Sequence, residues 1–202
     1  MSALANRLIQ KGFLKTDLII DAFSEISRVE FVPERFAVIA DDNVALPIGH
    51  GQTAPTPSVI AFMLELLRPE RGSKVLVLGG GSGWVLALLS YIVGAKGHIV
   101  AVDDLDGLLT QAEQNIAKYS FIARDGIVEA HRGALEDGHS AGAPYDCVLI
   151  MRSLEAVPEA VVEQIGSEGR IVLPIKDIVT YCEKNSEELT QEPFSGVQFS
   201  QA

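Results

Sequence analysis

Residues 75–84, Val-Leu-Val-Leu-Gly-Gly-Gly-Ser-Gly-Trp, constrain this chain more than any other stretch. Four apolar residues run into a glycine-rich turn. Val85, Leu86, Leu88, Leu89 and Ile92 then recur at helical spacing. That order predicts a buried parallel strand, a tight loop and a helix. Glycines permit positive φ and let the backbone approach a ligand closely. The new helix aims its unpaired N–H groups at the same place. Residues 98–103, His-Ile-Val-Ala-Val-Asp, read as a second strand ending in an acid. Asp103 follows Gly79 at roughly the 20-residue offset at which a carboxylate meets a ribose hydroxyl. Together these features predict a site for a nucleoside-containing cofactor. The competing reading is a glycine-rich connection that holds no ligand.

The spacing also selects among cofactors. It is Gly-x-Gly-x-Gly, whereas the dinucleotide fingerprint needs a third glycine one residue later, for close helix packing below a pyrophosphate. Bulky Trp84 stands there instead, and the chain has no Tyr-x-x-x-Lys pair of the short-chain dehydrogenase kind. S-adenosylmethionine fits better. It offers a ribose to Asp103 and an amino-acid tail to the glycine loop, and it carries no phosphate.

Composition narrows the partners. The 202 residues suffice for one α/β domain with a substantial core, and 48% are hydrophobic. A net charge of -11 argues against nucleic acid and against an anionic membrane surface. No apolar run reaches the length of a membrane span. Cys147 and Cys182 each sit in an apolar run and read as free buried thiols, which suits a reducing cytoplasm. The four histidines are scattered, without metal-ligand spacing.

Along the chain, residues 2–10 read as a helix. Thr16 reads as the N-cap of a second, with Leu18, Ala22, Phe23 and Ile26 on one face. Residues 41–57 hold three prolines and two glycines and are expected to be mostly irregular. Ordered loops of that length are usually functional. Thr56 then caps a helix with Pro57 in its first position. Further helices are expected at 108–118 and 158–165, and strands at 126–130, 145–150, 170–174, 178–182 and 197–199. A polar hairpin-like loop is expected at 185–192. The alternation predicts a doubly wound, mostly parallel α/β sheet of Rossmann-like type with an N-terminal helical segment. One domain over 1–202 is expected, with helices and loop in 1–57 and the cofactor-binding core in 58–202.

At this point the chain resembles the protein-L-isoaspartate O-methyltransferase family over nearly its whole length. Arg28 and Phe31-Val32-Pro33-Glu34-Arg35 resemble the family's N-terminal segment, and residues 46–53, Leu-Pro-Ile-Gly-His-Gly-Gln-Thr, resemble its signature loop. The glycine loop, Ala143-Pro144-Tyr145-Asp146 and residues 169–174 match further family motifs. The resemblance implies methyl transfer from S-adenosylmethionine to the free α-carboxylate of an isoaspartyl residue in damaged peptides and proteins. It implies that Gly79, Gly80, Gly81, Ser82 and Gly83 hold the cofactor's tail. Asp103 would serve the ribose, and Gly133 and Ala134 the adenine; Asp104, beside Asp103, is a further candidate for the ribose or adenine on its position alone. Gln52, Thr53 and Pro55 would line the acceptor pocket, and His50 is read either as a further polar substrate contact there or as a residue that packs the loop.

Three positions depart from the family pattern. The serine associated with the acceptor carboxylate is Pro55, which has neither hydroxyl nor N–H. The acids expected in the first motif and after Gly133 are Val77 and Ala134. Thr53 and Thr56, on either side of Pro55, are the hydroxyls left to act at the acceptor as catalytic candidates. Two readings stay open beside a nicotinamide-dependent Rossmann enzyme, which the glycine spacing disfavours. One is an active carboxyl methyltransferase. The other is a non-catalytic or acceptor-altered relative that keeps the fold as a binding protein.

Overall fold

A computed structural model of the chain describes residues 1–186 and 188–199. Its centre is a seven-stranded sheet. The strands are β3 (Lys74–Leu78), β4 (His98–Asp103), β5 (Val128–Arg132), β6 (Tyr145–Ile150), β7 (Ile165–Ile175), β8 (Ile178–Asn185) and β9 (Glu188–Gln198). They lie in the order β5-β4-β3-β6-β7-β8-β9. The first five run parallel, and β8 and β9 add an antiparallel edge. β3 therefore lies between β4 and β6, where the strand order reverses. In open α/β sheets ligands bind outside the carboxyl ends of the strands at such a point.

The apolar runs read from the sequence are continuous because both faces of these strands are covered. Val75, Val77, Ile99, Ala101, Cys147 and Leu149 belong to the larger core cluster. Their neighbours Leu76, Leu78, Val100, Val102, Val148 and Ile150 belong to a second cluster on the opposite face. The larger cluster draws on α1 (Ala3–Gln10), α2 (Asp17–Glu25), α3 (Pro57–Leu67), α4 (Trp84–Val93) and α5 (Asp106–Ile116). A short helix, α6 (Ser120–Asp125), which the sequence did not predict, adds Ile122. The second face is covered by α7 (Glu159–Gln164) and by the segment around Leu135.

The N-terminal helices are fastened to this core by specific polar contacts. The Ser2 hydroxyl accepts from Ala5 N–H as an N-cap and donates to Phe23 O at 3.0 Å, joining α1 to α2. Thr16 stands at the N-cap of α2 without a side-chain capping bond. Its hydroxyl donates instead to Glu65 Oε2 on α3 at 2.8 Å, and Glu65 Oε1 also accepts the Lys15 and Thr16 N–H groups. At the start of α3, Thr56 Oγ1 accepts from Val59 N–H at 3.4 Å, with Pro57 in the first turn. That is the predicted cap.

Two expectations are refined. Residues 41–57 are irregular over about half their length, but β1 (Leu46–Gly49) and β2 (Gln52–Ala54) form an antiparallel hairpin that was not expected. His50 (φ 52°) and Gly51 (φ 73°) make its turn, and positive φ at both central residues matches the twist of a tight hairpin. Pro47 is tolerated because a two-stranded ribbon is all edge, so an absent N–H need cost no ladder bond. The second correction concerns residues 185–192. Asn185 pairs with Glu188, so most of this polar stretch is strand, and position 187 lies outside the described residues. Its polarity reflects exposure at the sheet edge rather than a loop. Among the described residues no helix is long and apolar enough to cross a membrane.

Candidate active site

A cavity of about 570 Å³, counting the space at its mouth, opens at the carboxyl ends of β3, β4 and β6. Its floor is the glycine turn. Gly79 N–H donates to Val102 O at 2.8 Å, and Gly83 N–H to Gly80 O at 3.1 Å, so the turn is pinned between β4 and the start of α4. Gly79, Gly80, Gly81 and Ser82 line the cavity. Gly81 has φ 58°, and a Cβ there would lie 3.0 Å from Ile48 Cδ1 of the hairpin. The turn thus needs glycine both for its conformation and for the close approach of its lid.

Gly83 serves differently. It is not among the lining residues, and a Cβ there would lie 3.1 Å from Ala112 Cα. At φ 97° it caps α4 and lets α4 and α5 pack closely. Trp84, the bulky residue in the sequence argument, lines the cavity and reaches backwards. Its Nε1 donates to Ile26 O at 3.4 Å, and its ring meets Phe23 edge-on at 5.5 Å.

Asp103 lines the cavity from the end of β4 and is only 3% exposed. Burial pushes its carboxyl above the ordinary carboxylate range, against the opposing hydrogen bonds from the backbone of Leu105 (3.1 Å) and Gly81. Asp104 points elsewhere. It does not line the cavity, and it forms a two-pronged ion pair with Arg152 at 2.8 and 2.9 Å. That contact draws its carboxyl down, although burial opposes it.

The hairpin closes the other side. Ile48, Gln52, Thr53, Ala54 and Pro55 all line the cavity. What holds them is Arg28, whose guanidinium is fully buried. Its Nη2 donates to Val44 O (3.1 Å) and Pro55 O (3.0 Å), the residues just before β1 and just after β2. Its Nη1 donates to Ala40 O at 3.0 Å, and the group lies over the Trp84 ring, 5.4 Å from the centroid. One side chain therefore closes the base of the hairpin. Burial lowers the Arg28 pKa to about 10, so the group stays charged at neutral pH.

Not every predicted site residue joins the cavity. His50 lies over the start of α5, where a Cβ on Gly107 would meet its ring. It packs the hairpin turn and does not line the cavity. Thr56 also lies outside the lining, its hydroxyl engaged with Val59 N–H and with Ser58 Oγ at 3.1 Å. Gly133 and Ala134 follow β5 beside Asp103, and Gly133 N–H donates to Asp103 O at 3.1 Å, but neither lines the cavity. Val77 is wholly buried in the larger core cluster, between Ala101 and Leu149 in the strand register. The sequence reading quoted Arg28 and Ile48 within family motifs without giving them a place in the site, and it missed Ile60, Met151 and Arg152 as lining residues. Met151 and Arg152 carried a usable signal, since they directly follow a strand at its carboxyl end. Arg28 was marked only by the resemblance, and nothing in the sequence showed its role, because its partners are distant carbonyl groups.

These residues fit S-adenosylmethionine on the structure's own terms. A glycine turn with positive φ leaves room for an amino-acid tail, and a buried acid at the end of the adjacent strand faces the same cavity as a ribose acceptor. The lining carries no cluster of cations for a phosphate.

The comparisons agree with this geometry. The sequence model of the family described as protein-L-isoaspartate(D-aspartate) O-methyltransferase matches residues 1–201. A protein-L-isoaspartate O-methyltransferase of Methanopyrus kandleri is 34% identical over 174 residues, 86% of this chain and 76% of that protein. One of Methanothrix thermoacetophila is 36% identical over 165 residues, covering 79% and 74%. A solved protein-L-isoaspartate O-methyltransferase superposes with a TM-score of 0.81 at 25% identity, over 98% of this chain and 63% of that one. A Plasmodium falciparum structure described as such an enzyme, in complex with S-adenosyl-L-homocysteine, shares the fold at 14% identity, with a TM-score of 0.86 over 98% and 95%. The chain belongs to the protein-L-isoaspartate(D-aspartate) O-methyltransferase family, whose members are S-adenosylmethionine-dependent protein carboxyl methyltransferases.

Proposed function

We propose that this chain methylates the free α-carboxylate of isoaspartyl residues in peptides and proteins, with S-adenosylmethionine as donor. The observation that carries the reading is one cavity shared by the glycine turn and Asp103 on one side and by Gln52, Thr53 and Pro55 of the hairpin on the other. When bound, S-adenosylmethionine supplies an electrophilic methyl group on a sulfonium. The acceptor carboxylate, with a pKa of roughly 4, arrives ionised and needs no general base. The lining suits that demand: its ionisable side chains are Asp103 and Arg152, and with Asp103 assigned to the ribose no carboxylate or imidazole of the lining is left to serve as a base for an alcohol or amine. The protein's task is alignment and exclusion of water. Ile48, Ile60, Trp84, Val85, Leu108 and Met151 provide the apolar wall. Thr53, which lines the cavity while Thr56 does not, is the hydroxyl this reading assigns to orienting the acceptor. The two free buried thiols suit a reducing compartment such as the cytoplasm.

A second reading, a relative that keeps the fold without catalysis, draws on Pro55, Val77 and Ala134. Calorimetric titration with S-adenosylmethionine and S-adenosylhomocysteine separates the two. Micromolar binding, followed by methyl transfer to an isoaspartyl peptide but not to its aspartyl twin, is the expected result. No binding at millimolar ligand would leave the non-catalytic reading.

A further inference from the structure

Among the residues that line the cavity, Arg152 is the only cation and Asp103 the only anion. Arg152 is one residue past Met151, whose N–H donates to Leu78 O at 2.8 Å, so it stands beside the start of the glycine turn. The segment after it is anchored as firmly. Leu154 N–H donates to Pro174 O at 3.0 Å, and Ser153 Oγ accepts from Asp177 N–H at 2.9 Å. The guanidinium is therefore carried on fixed backbone.

Asp104 fixes its direction. The two bonds of the ion pair, Nη1 to Oδ2 and Nη2 to Oδ1, use one hydrogen of each terminal nitrogen. A guanidinium has five donors, so Nε and one hydrogen on each Nη are left for a further acceptor. An anion entering a largely apolar cavity is costly unless it meets a cation there. Arginine matches a carboxylate with paired donors, which sets orientation as well as charge.

We propose that Arg152 is an acceptor-binding residue. Its free donors receive the substrate carboxylate, and Asp104 is the positioning residue that holds the guanidinium at the cavity edge. This rests on the carboxyl methyltransferase reading and supplies the polar contact that Pro55 lacks.

The test is calorimetric titration of an isoaspartyl peptide into protein saturated with S-adenosylhomocysteine, for wild type, Arg152→Gln and Asp104→Asn, with cofactor affinity measured separately. A hydrogen bond to a charged group corresponds to about a ten- to hundredfold change in affinity. Arg152→Gln is expected to weaken peptide binding by about that factor while cofactor affinity and melting temperature stay near wild type. A peptide with that carboxylate amidated should bind wild type and Arg152→Gln equally weakly. Asp104→Asn should change peptide affinity while leaving the cofactor's unaltered. Equal binding of the free-acid peptide by wild type and Arg152→Gln would overturn the assignment alone. A parallel loss of cofactor affinity in both variants would overturn it too, and would make the pair part of the cofactor site. A wild-type protein that binds cofactor but no peptide would overturn the assignment together with the acceptor reading.

Discussion

The two walls of the cavity are built by different physics. The cofactor wall is local: residues 79–83 make a turn between β3 and α4, and a single acid at the end of the adjacent strand completes it. The hairpin wall is held from a distance. Arg28 sits in a short 3₁₀ turn far upstream, yet its guanidinium binds the carbonyls on both sides of the hairpin and packs on Trp84 of the opposite wall. A wall made by adjacent backbone tolerates change elsewhere in the chain. A wall made by one buried side chain fails with that side chain.

The sharpest way to break this contrast is Arg28→Met. It leaves the carbonyls of Ala40, Val44 and Pro55 without their donor in a buried place. A loss of about 3–5 kcal/mol is expected in denaturant unfolding. In whatever fraction stays folded, acceptor affinity should fall further than cofactor affinity. A midpoint equal to wild type would refute the clamp.

Asp103→Asn probes the other wall, where function and stability oppose each other. Cofactor affinity should drop about ten- to hundredfold by titration. Stability should change in the opposite direction. Burial holds the Asp103 carboxyl above its ordinary 3.8, so the stability it contributes is complete below that value and is lost as pH rises through the folded-state value. The variant is spared that loss. It should melt above wild type at neutral pH, and the gap should close on acidification.

The two threonines then sharpen the picture within the hairpin region. Thr53→Val, inside the cavity, should lower turnover with an isoaspartyl peptide by about tenfold, the effect of one hydrogen bond to a charged group. Thr56→Val removes a helix cap outside it. It should cost about 1 kcal/mol in thermal unfolding and leave both affinities unchanged. If Thr56→Val is the variant that loses turnover, their roles are reversed.

Particular residues show why one wall was readable and the other was not. Gly79, Gly81 and Asp103 announce themselves because a turn and a strand end are short-range events with fixed spacing. Thr56 and Pro57 announce a helix start for the same reason. Gly83 looked like its neighbours in sequence, but its need for glycine comes from Ala112 on another helix. His50 and Gly51 carried a hairpin signal that the surrounding prolines masked.

The sequence by itself determined the alternating strand–helix order, the glycine turn and its acid, and the family. Each depends on periodicity or on spacing along a few residues. Only the tertiary structure decided which hydroxyl borders the cavity, that Asp104 binds Arg152 instead of lining it, and that Arg28 closes the hairpin. Those contacts join residues distant along the chain, and their partners are mostly backbone carbonyls, which every residue type presents alike.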